Sequence, residues 1–191
     1  GNLVLSLTRG DGIQGTDITD KMRLLVPNKL KNAPAGYMQV TGEVATTADV
    51  ENQRNFASGA MNQKEVEAFA QRRIEGGLVF VAYGVTIEHV EGEMSTTYTG
   101  NMSELASLGF ITVLNIPDHM EIPDDGIVYR LNDNKAYEEA GVTAKFPKGA
   151  FAVKEDEEGV WTTLQHIEWS VGKSGKVVPT AIFDEVIIDD A

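Results

Sequence analysis

The run "LVFVAYGV", residues 78–85, constrains the fold more than any other stretch of this 191-residue chain. A strand with one wet face alternates polar and apolar positions, whereas a short, nearly continuous apolar run fits a strand covered on both faces. Residues 78–85 therefore predict a central strand, and the layers to cover it stand nearby. Residues 37–44 read as a second strand. Residues 62–74, "NQKEVEAFAQRRI", place Val66, Phe69, Ala70 and Arg73 at helical spacing, with Glu65 and Glu67 near the start and Arg72 and Arg73 near the end, as the helix dipole favours. Residues 103–114, "SELASLGFITVL", predict a short helix capped by Ser103 and ended by Gly109, then a strand. In residues 3–7, Leu3, Leu5 and Leu7 alternate with Val4 and Ser6, predicting a strand with one buried face. Helices and strands mix without strict βαβ alternation, so the fold class is α+β.

Composition narrows the setting. There is no cysteine, hence no disulfide and no thiolate metal site, which fits a cytoplasmic protein. No apolar run approaches the length of a bilayer span, and the first residues lack the basic-then-apolar order of a signal peptide, so no membrane partner is expected. The net charge of −13 opposes nonspecific binding to nucleic acid, which makes any DNA contact local. Much of the acid falls in two blocks, "EDEEG" at 155–159 and "DEVIIDDA" at 184–191, read as solvated linker and tail. Beyond the first block, residues 161–189 hold two β-rich runs around the turn signal "GKSGK". Two or three strands are too few to close a barrel, so a partner or further chain is expected to complete this unit. The domain boundaries are set at 1–154 and 160–191. Because residue 1 is glycine, the chain is expected to be a processed or excised piece.

Residues 6–20, "SLTRGDGIQGTDITD", are the densest in glycine and aspartate. An EF-hand needs oxygen ligands at alternate positions and a glutamate at the twelfth, but Asp11 is followed by Gly12 and Ile13. A phosphate-binding Walker loop needs a terminal Gly-Lys-Ser or Gly-Lys-Thr, and no lysine occurs before Lys21. His89, His119 and His166 show no ligand spacing, so no metal site is predicted. Taken singly, other residues have plain structural readings. Tyr83 is a core tyrosine, Asp125 with Gly126 a turn, Lys145 an edge-strand lysine and Glu43 a cross-strand surface residue.

Separated segments, taken together and in order, carry more. "TRGDGIQGTDIT" at 8–19, "VTGEV" at 40–44, "NQRNFASG" at 52–59, "VFVAYGV" at 79–85, "DGIVYR" at 125–130, "TAKFP" at 143–147 and "IEWSVGKSGKVVPTA" at 167–181 resemble the adenylation domain of NAD-dependent DNA ligases running into the start of its OB-fold domain. The resemblance implies an antiparallel-sheet-rich nucleotidyltransferase domain followed by a partial OB-fold β-barrel. It implies a ligase that seals nicks in duplex DNA through an enzyme–AMP and then a DNA–adenylate, using NAD and Mg²⁺. By the same resemblance Lys145 contacts the α-phosphate, Arg130 supports it, and Asp125 shapes the phosphate site. Arg9 lies near the nucleotide or the nick, Glu43 accepts from the ribose hydroxyls, and Tyr83 and Val128 sandwich the adenine. Arg54, Lys173 and Lys176 touch DNA.

Departures accompany the matches. The family's adenylated lysine belongs to a Lys-x-Asp-Gly motif upstream of the threonine-arginine-glycine run, and these 191 residues contain no such motif. The nucleophile is therefore expected from a missing segment or a complementing chain; the alternative is a degenerate, noncatalytic nucleotide- or DNA-binding module. Arg130 stands where the family usually has lysine, Thr41 where it has arginine, and Asn62 where a second arginine follows the "NQRN"-like string. The interval between "AYGV" and "DGIV" is also short.

Overall fold

The computed structural model describes residues 1–31, 36–50, 52–88, 94–123, 126–143, 146–154, 159–173 and 175–186. The chain divides into two compact units, Gly1–Lys154 and Glu155–Ala191.

In the first unit a three-stranded sheet consists of β1 (Tyr37–Ala45), β2 (Val79–Glu88) and β3 (Ile111–Thr112), in the order β1-β2-β3. The apolar run is central, as its composition predicts. β1 pairs antiparallel with β2, and the short β3 pairs parallel with it. The helices are α1 (Thr19–Met22), α2 (Gln53–Met61), α3 (Val66–Gly76), α4 (Tyr98–Ser107) and α5 (Asn134–Ala140). A further antiparallel pair, β4 (Ile127–Arg130) with β5 (Ala150–Val153), stacks Tyr129 on Phe151 at 5.3 Å between ring centroids.

Two apolar clusters hold these elements. Phe69, predicted on the apolar face of its helix, is fully buried with Ala57, Ala60 and Leu78, joining α2 and α3 to the start of β2. Ala82, Met102 and Leu105 form the second cluster with Met38, Val40, Phe80, Val85 and Tyr98, laying α4 on one face of the sheet. The helix expected over 62–74 begins later, at Val66, with Glu65 as N-cap. It ends at Gly77, whose φ of 54° is left-handed and suits glycine alone among ordinary residues. Helix α2, just before it, is capped by Asn52, whose side chain accepts from the Asn55 amide.

Two sequence expectations are corrected. Helix α4 starts a full turn before Ser103: Thr97 is the N-cap, its hydroxyl accepting from the Gly100 amide. Tyr98, Met102 and Leu105 keep one apolar stripe running through Ser103, so an earlier hydroxyl captures the helix end. Gly109, at φ 96°, does follow its last turn. The second correction concerns residues 3–7, which form no strand. They are held by the isolated bridges Asn2↔Lys29 and Leu7↔Asp17, and Val4, Leu5 and Leu7 remain exposed. Alternation selects which side of a strand is apolar, but a sheet neighbour must be present to bury it.

The second unit contains β6 (Leu164–Val171) and β7 (Val177–Phe183), an antiparallel hairpin closed by the Gly172 amide donating to the Lys176 carbonyl at 2.9 Å. Its strands present Trp169, Val171 and Val177 to the surface. A two-stranded sheet is not a barrel.

The buried and exposed positions of α3 supply a direct test. Phe69→Ala should destabilise the first unit by about 3–5 kcal/mol, whereas Ile74→Ala, at a 72% exposed position, should change stability by less than about 0.5 kcal/mol. Denaturant midpoints of the two variants measure the contrast; equal shifts would contradict the core assignment.

Candidate functional site

Tyr83 owes its place to a bulge. In the β1–β2 ladder Thr41 opposes Gly84 and Gly42 opposes Ala82, so Tyr83 is an extra residue without a partner in β1. Strict alternation would forbid Ala82 and Val85, three residues apart, from reaching the same face. Both join the α4 cluster, and the bulge makes up the difference. Tyr83 is left on the opposite face, 42% exposed, on the side where Glu43 opposes Val81. The phenol is pushed above the usual tyrosine range, first by burial and then by the negative charge of Glu43, while the positive charge of Arg9 acts in the opposite sense. Three residues distant in sequence thus share one electrostatic neighbourhood.

Arg9 is presented by the glycine loop. The Thr8 amide donates to the Thr16 carbonyl and the Thr16 amide to the Thr8 hydroxyl, each near 3 Å, closing the base of the loop. The Asp11 carboxylate accepts from the amides of Ile13 at 2.9 Å and Gln14 at 2.7 Å, which holds it below the usual carboxylate range. Asp17 is lowered in the same way by the hydroxyl and amide of Thr19. These carboxylates are engaged in shaping backbone. Gly10 is required here: its φ is 54°, and a β-carbon would overlap the Gln14 carbonyl.

Arg130 is held by two aromatic rings. Its guanidinium lies 4.2 Å from the ring centroid of Tyr98 and 3.9 Å from that of Tyr137. Its Nε donates to the Leu131 carbonyl at 3.2 Å, and Nη2 reaches Asn134 Oδ1 at 3.4 Å. The Tyr98 hydroxyl in turn donates to the Tyr83 carbonyl at 3.1 Å. Neither Tyr98 nor Tyr137 lies in a segment singled out from sequence. Val128, 65% exposed, shares Arg130's side of β4 because Tyr129 between them faces Phe151.

The remaining predicted residues are dispersed. Arg54 lies in the first turn of α2 with its side chain exposed. Lys173 and Lys176 sit in the β6–β7 turn of the second unit. Asp125, Lys145 and His89 fall outside the described residues. His166 Nε2 lies 3.3 Å from Glu168 Oε1, a surface pair. Among the described residues no three His, Asp or Glu side chains are grouped to hold a metal. No helix among them is long and apolar enough to cross a membrane. A cavity of about 170 Å³ lies against Leu24, Pro27, Arg73 and Phe110, and one of about 260 Å³ against Thr99, Met102, Thr112 and Asn115. Neither of these two is lined by Arg9, Glu43 or Tyr83.

Titration of Tyr83 tests this grouping. Removing the Glu43 charge with Glu43→Gln should lower the Tyr83 pKa, and Arg9→Gln should raise it further. Carbon-13 tyrosine resonances followed through the alkaline range report both shifts; a Tyr83 curve indifferent to both substitutions would contradict the shared face.

Comparison with known proteins places these residues. The family model for the NAD-dependent DNA ligase adenylation domain matches residues 1–124, a span that holds Arg9, Glu43, Arg54 and Tyr83. A DNA ligase of Clostridium tetani is 32% identical over 222 residues, covering 100% of this chain and 32% of the clostridial protein. DNA ligase 2 of Clostridium acetobutylicum is 30% identical over 219 residues, covering 97% of this chain and again 32% of its relative. The chain therefore spans about a third of the length of these relatives. The 222-residue alignment exceeds the 191 residues present, so the Clostridium tetani protein carries insertions relative to this chain. The chain belongs to the NAD-dependent DNA ligase adenylation domain family.

Proposed function

We propose that this chain supplies the adenylate-binding part of an NAD-dependent DNA ligase that seals nicks in duplex DNA, with the lysine nucleophile provided by a segment or chain outside these 191 residues. The observation that carries this reading is that Glu43 and Tyr83 share one face of the β1–β2 sheet, with Arg9 near enough for its charge to act on the phenol, all from segments matched by the family model. An exposed tyrosine ring offers a stacking surface to adenine. The adjacent carboxylate accepts from ribose hydroxyls, and the arginine balances negative charge at the phosphates or at the nick.

NAD supplies the adenylate as an activated diphosphate, and nick sealing passes it on by in-line phosphoryl transfer. The protein's share in such transfer is positioning and neutralisation of charge. In this reading Lys145 neutralises the α-phosphate, Asp125 shapes the phosphate site, and Val128 covers the far side of the adenine. Arg54, Lys173 and Lys176 bind the DNA backbone, where their charge opposes an overall net charge of −13. Mg²⁺, implied by the family resemblance, would neutralise phosphate charge on the bound substrates. A noncatalytic nucleotide- or DNA-binding module of the same family is the second reading.

Two experiments separate these readings. Incubated with NAD labelled in its adenylate, the 191-residue chain should gain no AMP by mass spectrometry; a stoichiometric adduct on one of its own lysines would overturn the alignment. Complemented by a chain carrying Lys-x-Asp-Gly, it should support sealing. Lys145→Ala should then slow turnover on saturating nicked DNA by about 100-fold or more, as expected for losing a charge at a shielded phosphate. Lys173→Ala should instead weaken DNA affinity and its salt dependence. The reverse pattern would place the phosphate site elsewhere, and no sealing in any complemented mixture favours the noncatalytic module.

A further inference from the structure

We propose that Arg130, clamped between Tyr98 and Tyr137, is a positioning residue that fixes the bulged segment carrying Tyr83 through the Tyr98 hydroxyl, and does not itself touch phosphate. The inference rests on the adenylate-binding reading of the Tyr83 face and adds to it the residues that set that face.

The geometry of the clamp is specific to arginine. The guanidinium carbon lies 4.2 Å from one ring centroid and 3.9 Å from another, so one side chain meets two rings while its nitrogens reach the Leu131 carbonyl and the Asn134 side chain. A lysine ammonium, a point charge on a flexible stem, offers no comparable fork. The arginine at this position thus keeps a positive charge while gaining a mechanical role.

The two rings belong to helices whose beginnings are already joined. The Tyr98 amide donates to the Asn132 carbonyl at 2.7 Å, and the Asn134 amide to the Thr96 carbonyl at 3.0 Å. The Asn132 side chain accepts from the Thr99 amide, and the Asn134 side chain donates to the Ser95 carbonyl. Thr97 caps α4, Asp133 caps α5, and the two caps form a bridge. Arg130 thus locks Tyr98 against a braced corner. From there the tyrosine reaches its one described side-chain hydrogen bond, to the carbonyl of Tyr83 at 3.1 Å. That carbonyl belongs to the extra residue of the bulge, which lacks a register partner in β1. Bulges disrupt the ladder locally, so a hydrogen bond from outside it has leverage on where the Tyr83 ring points. The Tyr98 phenol is a donor at neutral pH, as any tyrosine is, and burial raises it further despite the nearby arginine.

Adenosine and AMP distinguish a positioning residue from a phosphate contact. Both are titrated into the 191-residue chain by NMR, using wild type, Tyr98→Phe, Arg130→Lys and Arg130→Gln. Positioning predicts that Tyr98→Phe and Arg130→Lys weaken adenosine and AMP by the same factor, on the order of 3- to 10-fold, as for loss of one hydrogen bond. It also predicts a thermal midpoint for Tyr98→Phe close to that of wild type, since the ring and its packing remain. If the Arg130 variants weaken AMP alone and leave adenosine unchanged, Arg130 is a phosphate contact and the proposal is overturned. If wild type binds neither ligand, the adenylate-binding reading fails. The clamp is then judged in the ligand-free protein, where Tyr98→Phe and both Arg130 variants should shift the same Tyr83 ring and amide resonances. Unmoved Tyr83 resonances overturn it.

Discussion

The candidate site depends on one irregularity in one ladder. Between Thr41 and Gly42, β1 advances a single step while β2 advances two, and the surplus residue is Tyr83. The consequence runs both ways through the sheet. On the inner side, Ala82 and Val85 both pack against α4, giving the cluster around Met102 and Leu105 its floor. On the outer side, the only large aromatic of the central part of β2 stays partly exposed beside Glu43, within reach of the field of Arg9. A regular strand could satisfy the core or the site, but not both, with these residues in this order.

What stabilises that irregularity comes from distant parts of the chain. The start of α4 and the start of α5 are joined cap to cap, and Arg130 fills the corner between them with a guanidinium that two tyrosines enclose. Through Tyr98 the corner reaches the backbone of the bulge. The replacement of the family's usual lysine by arginine at 130 is then understandable as a change of duty, from a mobile charge to a fixed plane. The loop bearing Arg9 is shaped in a similar way, since Asp11 and Asp17 direct their carboxylates to backbone amides of the loop and its exit.

Much of this was legible in the sequence, and the failures have physical causes. The apolar composition of residues 78–85 located the central strand, and the spacing of Val66, Phe69 and Ala70 located the buried face of α3. The bulge was not legible, because a run apolar at nearly every position shows no break in alternation when a residue is inserted. The start of α4 was misplaced because Thr97 and Ser103 are both competent caps, and only the stripe from Tyr98 to Leu105 decides between them. Residues 3–7 had the right pattern and lacked a ladder to join. Arg9, Glu43 and Tyr83 were singled out by family resemblance; the fold puts Glu43 and Tyr83 on one face, with the charge of Arg9 acting on the phenol. Tyr98 and Tyr137 escaped notice because their role exists only once α4, β4 and α5 have been brought together. The parts assigned to Asp125 and Lys145 still rest on resemblance.

Intermolecular nuclear Overhauser effects between bound adenosine and the chain test the central claim most directly. The account predicts cross-peaks from the adenine protons to the Tyr83 ring and from the ribose protons to the side chain of Glu43. Cross-peaks instead to Thr99, Met102 and Asn115, lining the cavity between α4 and the end of β3, with none to Tyr83, would contradict it.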